Sequence, residues 1–527
     1  MRRPGQRALS LVALVACTLP IAEAFATARL VPRARLSSHR SASTSMQLLG
    51  TDDPIPQRSD DPPLLPAAAV LGIGTACMGT AYAKALRFTV SSVWTRLPAA
   101  LALPDPTLFV PAACTLGGAV VGLLAVNLPT TGMPDFIGKQ RSTMDSLPGI
   151  RPYLAPVLLL SLLTSTFGFS VGPEAPMVVA GALVGSAFGK RLYGDNNHAM
   201  ARTMAYAGAA GALTTFIGMP LAGAIFVLEI PRASSGLAAG AHEALTPAIV
   251  ASCASMLVAK AVFAPAKAIG GHFAYAAVGG ALTGRTLAAI SLSAGACGAL
   301  IARTFVALVA TYKRPMWPQA PPAETCEVER RWACGPKTRH VLVKTAVGLS
   351  VGLIGLLFPQ TLFWGEGSLQ HVIDGQHTAL SNVWPGLSPA LTARAVCDVS
   401  APFTGAPAAL KVGVAKLVAI ALACAGGFPG GIIFPLFFAA AALAHTASAL
   451  VPSALMPVWV MSLMASTQAS VTRTPLATVF MLGLSASASA QVSTMLPPVI
   501  IAAYVGVWVS RAISEATFFP YNNGVDD

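Results

Sequence analysis

Glu174 is the residue whose surroundings most suggest chemistry. It lies in Gly172-Pro173-Glu174-Ala175-Pro176 at the head of an apolar run, where a carboxylate is costly to keep unless it has a function. Two other segments show the same Gly and Pro punctuation before an apolar run: Thr130-Thr131-Gly132-Met133-Pro134, and Gly427-Phe428-Pro429-Gly430-Gly431-Ile432-Ile433-Phe434-Pro435. Each can present a helix N-terminus, whose unpaired N–H groups and positive dipole end attract an anion without a full positive charge. None of the three contains Lys or Arg, which would hold an anion too tightly for it to leave. Together they suit the passage of an anion. Taken singly, each is also an ordinary helix start or tight turn, and Glu174 alone also reads as a surface acid favoured by a helix dipole.

Other chemistries find little support. An intramembrane enzyme using Glu174 or Glu229 as acid or base would need a nucleophile or a metal cluster beside them, and the sequence offers neither. The histidines, His198, His242, His272, His371, His377 and His445, lack i, i+4 pairing and partner carboxylates, so no metal and no cofactor is expected. Lys411 and Lys416 precede the third motif; near a membrane helix end a lysine ordinarily extends its ammonium to the interface.

The elements that must position these residues follow from composition. Of 527 residues, 54% are hydrophobic and 10% charged, against roughly 25% charged in soluble domains. Apolar runs recur across residues 64–510, many near the ~20 residues that cross a bilayer. They are crowded with Gly, Ala and Ser, which let membrane helices pack closely, and several are broken by Gly or Pro, as helices that stop inside the membrane around a cavity are. The expectation is an all-α integral membrane bundle of many tilted and broken helices, with membrane lipid as its surroundings. It is also a duplicated one. Gly, three residues and Pro recur at Gly172 and Gly431, and Pro220-Leu-Ala-Gly and Pro475-Leu-Ala-Thr follow 44 residues after Pro176 and 40 after Pro435. Two halves of a membrane protein are commonly inverted about an axis in the membrane plane, with the substrate site where their broken helices meet.

The net charge of +13 is not gathered into a binding face, so nucleic acid is not an expected partner. Much of the excess is N-terminal: Arg2, Arg3, Arg7, Arg29, Arg33, Arg35 and Arg40 face one acid, Glu23, before Asp52. Residues 1–24 read as a signal peptide ending in Ala22-Glu23-Ala24, and residues 25–50, rich in Arg and Ser with no acid, as a plastid transit-like segment. The pair resembles the two-part presequence of algae with complex plastids; a secretory signal with a basic tail is the alternative. The remaining divisions expected are a linker (51–64), a first membrane repeat (65–310), a polar loop (311–339), a second repeat (340–511) and a C-terminal tail (512–527). Cys326 and Cys334 share the polar loop, as a disulfide or as two surface thiols.

Taken in order, the three motifs resemble the GSGIP, G(K/R)EGP and GxFxP trio of the CLC family of chloride channels and proton-coupled anion exchangers, and the resemblance extends over nearly all of residues 65–510. Trp364-Gly365-Glu366-Gly367 also resembles that family's glycine turn before a short helix. The resemblance implies a homodimer with one chloride path per subunit and a gate at Glu174, whose carboxylate blocks the path until protonation or an anion displaces it. It implies that the Thr131 hydroxyl and Gly132, the amides of Ile433 and Phe434, and a late aromatic among Phe518, Phe519 and Tyr521 meet the anion. Pro173 and Ala175 depart from the family's Lys or Arg and Gly, and Ile433 from its Phe. Exchangers of the family generally carry a second acid where Ile230 stands. Ile230 cannot carry a proton, so the expectation is passive conduction, with exchange, and Glu229 as a substitute acceptor, the alternative. Chloride is the expected anion, nitrate the rival. After Ser510 only a short tail follows, without the paired CBS domains of many relatives.

Overall fold

The computed structural model describes residues 62–101, 105–134, 136–137, 150–231, 241–263, 273–278, 283–317, 336–375, 403, 405–486 and 492–519. The presequence, Cys326, Cys334, His377 and Tyr521 lie outside them. Among the described residues the chain is helical, with one isolated β-bridge and no strand. In the first half run α1 (Leu64–Ser91, continuing through a π-turn), α2 (Phe109–Asn127), α3 (Ile150–Thr166), α4 (Glu174–Tyr193), α5 (His198–Ile217), α6 (Pro220–Glu229) and α7 (Ala241–Phe263). In the second run α8 (Gly284–Met316), α9 (Pro336–Leu357), α10 (Glu366–Ile373), α11 (Ala406–Ala425), α12 (Ile433–Ala444), α13 (Met456–Thr472), α14 (Pro475–Ser485) and α15 (Val492–Ile513). Among the described residues eight helices are long and apolar enough to cross a membrane, and α3, α6, α12 and α14 are shorter apolar pieces.

The duplication is visible in what packs on what. α1, α5 and α7 form a mutually packed trio in the first half, and α8, α13 and α15 form its counterpart in the second, so that α8, which begins ahead of the 310 boundary expected from the sequence, packs with the second half. In each half the middle helix is the most enclosed. α5 is buried from Thr203 to Ile217 and α13 from Val458 to Thr472, which is why their apolar residues circle the helix instead of forming one stripe. The broken helices repeat as well: α4, α5, α6 are matched by α12, α13, α14, and α6 packs on α14 across the halves. Leu116, Leu123, Leu257, Leu300 and Trp508 face outward, as a lipid-contacting surface requires. The polar loop is shorter than expected, since α8 runs on through Lys313 and Arg314 to Met316. Two cations in a last turn face the negative end of the helix dipole and extend the helix.

Small residues set the close approaches. At the α4–α5 seam Gly181 and Gly208 face one another so tightly that a Cβ on either would overlap the other's carbonyl, and Gly185 meets the Met204 carbonyl in the same way. Such contacts bring backbones into direct van der Waals touch where no hydrophobic force drives helices together. Gly208→Val is expected to destabilise the protein by about 1–3 kcal/mol through overpacking, read as a lower thermal unfolding midpoint in detergent. Gly284→Ala, where a Cβ meets nothing within 4 Å, should leave that midpoint unchanged.

Candidate anion site

The second and third motifs meet through their backbones. After α3 the chain turns at Gly168, left-handed at φ +83°, and reaches Gly172, which pairs antiparallel with Gly431 through Gly172 N–H to Gly431 C=O at 2.9 Å and the reverse bond at 2.5 Å. Two residues later each segment becomes a helix, α4 at Glu174 and α12 at Ile433. Equivalent segments of the two halves therefore cross antiparallel, as inversion dictates, and their helices begin at one place. A Cβ on Gly431 would lie only 3.1 Å from the Ala175 amide nitrogen. The free amides of two helix starts and the positive ends of two dipoles thus share one small region.

The Glu174 carboxylate fills that region. A Cβ on Gly172 or on Gly431 would overlap its oxygens, so both positions have to be glycine while the carboxylate stays. Glu174 is 2% exposed. Neither oxygen has a well-formed hydrogen bond to another described residue; the group leans toward its own backbone amide, and Glu366 lies within electrostatic reach. A buried carboxylate of this kind is held by helix dipoles and first-turn amides, the same features that would hold a small anion.

Of the residues expected to meet the anion, Ile433 and Phe434 are the first two of α12, both buried. They belong with Glu174. Thr131 and Gly132 lie half-buried before a helical turn closed by the Phe136 amide on the Gly132 carbonyl at 3.1 Å, and Phe136 of that turn packs on Tyr206 of α5 with ring centroids 6.2 Å apart. Phe518 is half-buried, its ring 5.5 Å from Phe305 and 5.0 Å from Phe519, against the cluster that includes Ile432 and Leu436 at the head of α12. Trp364-Gly365 forms the expected turn, with Gly365 left-handed at φ +86° before α10.

Ile230 is fully buried just past α6. Its neighbour Glu229 is committed elsewhere: its two oxygens accept the amides of Leu476 at 3.2 Å and Ala477 at 2.8 Å, capping the start of α14 in the other half. Lys416 corrects the reading that it reaches for the interface. It is 0% exposed and its ammonium is bonded to the carbonyls of Thr361 and Phe363, partners 55 and 53 residues away that no local pattern reveals. Lys344, buried in α9 and bonded to the carbonyls of Gly426 and Gly427, was missed altogether; the one cue was a cation set into an apolar run. No cluster of three or more metal-ligating side chains occurs among the described residues.

Two halves with broken helices abutting at a carboxylate in a membrane bundle define an ion-transport protein of the CLC fold. Residues 117–511 match the sequence model of the family described as voltage gated chloride channel, and the chain belongs to that family. It is 26% identical over 395 residues to YfeO of Salmonella paratyphi A, a protein named for ion transport, covering 74% of this chain and 82% of that one. Its structure resembles the crystal structure of a slow cyanobacterial Cl−/H+ antiporter, with TM-score 0.66 and 16% identity over 87% of this chain and 97% of the other. It also resembles a CLC-type fluoride/proton antiporter, with TM-score 0.60 and 19% identity over 87% and 97%. At these identities the two structures establish the common fold.

Overlap between the glycines and Glu174 makes a direct prediction. Gly431→Ala should expel the carboxylate and raise anion flux in proteoliposomes, as Glu174→Ala should, and the double variant should add nothing to Glu174→Ala alone.

Proposed function

We propose that this chain is a passive anion channel, with chloride the foremost anion and Glu174 the gate. The observation that carries the reading is the buried carboxylate standing over the Gly172–Gly431 bridge, where two helix starts would otherwise receive an anion. While charged it occupies the anion's place. Protonation or a competing anion releases it, and the amides of Ile433 and Phe434, the Thr131 hydroxyl and Gly132 then line the path. Partial charges at several positions bind weakly enough to let the ion leave. With Phe518 rather than a tyrosine beside α12, that wall contributes no hydroxyl, and Tyr521 remains the proposed alternative. The subunits are proposed to pair as homodimers, and residues 1–50 to direct them to a plastid membrane; a reporter fused to those residues should enter the plastid of an alga with a complex plastid.

Passive conduction is preferred because of the chemistry of residues 229 and 230. Ile230 holds no proton, and both Glu229 oxygens are occupied by α14 amides. Coupled proton and anion exchange is the second reading, suggested by the two fold neighbours, which are a Cl−/H+ and a fluoride/proton antiporter. The reversal potential of purified protein in planar bilayers separates them. Under a chloride gradient it should sit at the chloride equilibrium potential and stay there when a pH gradient is added; a shift with pH would establish coupling. Glu229→Gln should then conduct like the parent while losing about 1–2 kcal/mol of stability, the worth of a charge-assisted cap.

A further inference from the structure

Behind the two loops that meet at Glu174 lie two buried lysines, and we propose that they are positioning residues that keep amides rather than carbonyls facing the anion path: Lys344 by drawing back the carbonyls that lead into the third motif, Lys416 by fastening residues 361–363 against the second-motif loop. This rests on the anion-conduction reading above. A peptide carries both a donor and an acceptor. A loop that turns amides toward an anion must find donors for its carbonyls elsewhere, because inside a membrane protein no bulk water will supply them, and a carbonyl left facing the path would repel the ion.

Lys416 acts on the second motif through the neighbouring loop 361–363 and the Ser170 hydroxyl. Its Nζ donates to Thr361 C=O at 3.0 Å, Phe363 C=O at 2.7 Å and the Ser170 hydroxyl at 3.4 Å. Three acceptors for three protons is the coordination of an ammonium, not of a neutral amine. The Ser170 hydroxyl in turn donates to the Thr361 carbonyl, closing a ring of bonds four residues before Glu174. Phe363 stands at φ +58°, a left-handed backbone that a bulky residue rarely adopts. It is held at both ends, since its amide donates to Gly168 C=O at 3.0 Å and its carbonyl accepts from Lys416. The lysine thus fastens residues 361–363 to residues 168–170.

Lys344 supplies such donors behind the third motif. Its Nζ donates to Gly426 C=O at 2.9 Å and Gly427 C=O at 2.6 Å and lies 4.5 Å from the centre of the Phe428 ring. These carbonyls end α11, so the ammonium also offsets the negative end of that helix dipole, which would otherwise sit four residues from Gly431. Phe428 stacks on Phe169 at 3.9 Å, linking the two backed loops. Neither ammonium enters the path. Both act through the orientation of backbone groups.

The test is chloride titration by calorimetry on the full-length protein in detergent, together with chloride-over-potassium selectivity from bilayer reversal potentials. Lys416→Met and Lys344→Met should each weaken chloride binding about tenfold, the scale of one displaced hydrogen bond to a charged group, and lower selectivity. Lys416→Arg, which keeps charge and donors, should retain both. Ser170→Ala, which removes one corner of the ring and leaves the ammonium, should weaken binding by a smaller factor. A merely structural lysine would reduce the yield of folded protein but leave affinity and selectivity of the folded fraction unchanged. That result overturns the proposal, as would equal losses in Lys416→Met and Lys416→Arg; should Lys416→Met not fold, unchanged affinity in Ser170→Ala overturns it. A parent protein that neither binds nor passes chloride sinks the conduction reading with it, whereas a selective parent with unaltered lysine variants sinks only this inference.

Discussion

A helix that stops inside a membrane leaves backbone groups that lipid cannot satisfy, and in this protein the two segments that stop there satisfy one another. The paired bonds between Gly172 and Gly431 are a minimal sheet of one residue per half. They fix where α4 and α12 begin, and so where their amides and dipoles converge. They also demand glycine at both places, because the space a side chain would need is filled by Glu174. Bridge, helix starts and carboxylate form one arrangement, and across the halves Gly118 of α2 and Gly348 of α9 approach the facing helix's backbone closely enough to support it.

The same constraint explains why much of this was readable in the sequence and some was not. Gly and Pro spacing points to Glu174 and to the segment from Gly427 to Pro435 because helix starts are local events: the residues that end one segment and begin the next are neighbours in the chain. Duplication was readable for the same reason, as a local pattern that occurs twice. The cage around Lys416 had no such trace. Two of its partners are backbone carbonyls, which every residue possesses, 55 and 53 residues distant, and the third is the Ser170 hydroxyl 246 residues away. Glu229 is similar, since its commitment to α14 spans 247 and 248 residues and nothing near it in the sequence distinguishes a capping acid from a proton carrier. Lys313 and Arg314 misled in the opposite sense: charge that suggested a loop in fact closes a helix.

Charge is distributed in this protein by a consistent rule. Cations buried in the bundle face carbonyls, and the acid at α14 faces amides. Each is spent on the end of a backbone element whose dipole has the opposite sign. Glu174 is the exception, a buried acid among favourable dipoles whose oxygens form no good bond with another described residue. It is therefore the charged group in the core that loses least by moving, which is what a gate must be able to do.

The bridge has one further consequence. Gly172 and Gly431 are equivalent positions, and two residues beyond them stand Glu174 in one half and Ile433 in the other. A frame that repeats in its two halves is thus electrically lopsided at this point, with a carboxylate contributed from one half and an aliphatic side chain from the other. A field that drives an anion inward from one face presses the carboxylate in the same direction, while the reversed field draws both the other way against a different wall. If Glu174 gates the path as proposed, influx and efflux meet unequal barriers and the current should rectify even in identical solutions, an asymmetry arising from one residue rather than from the architecture.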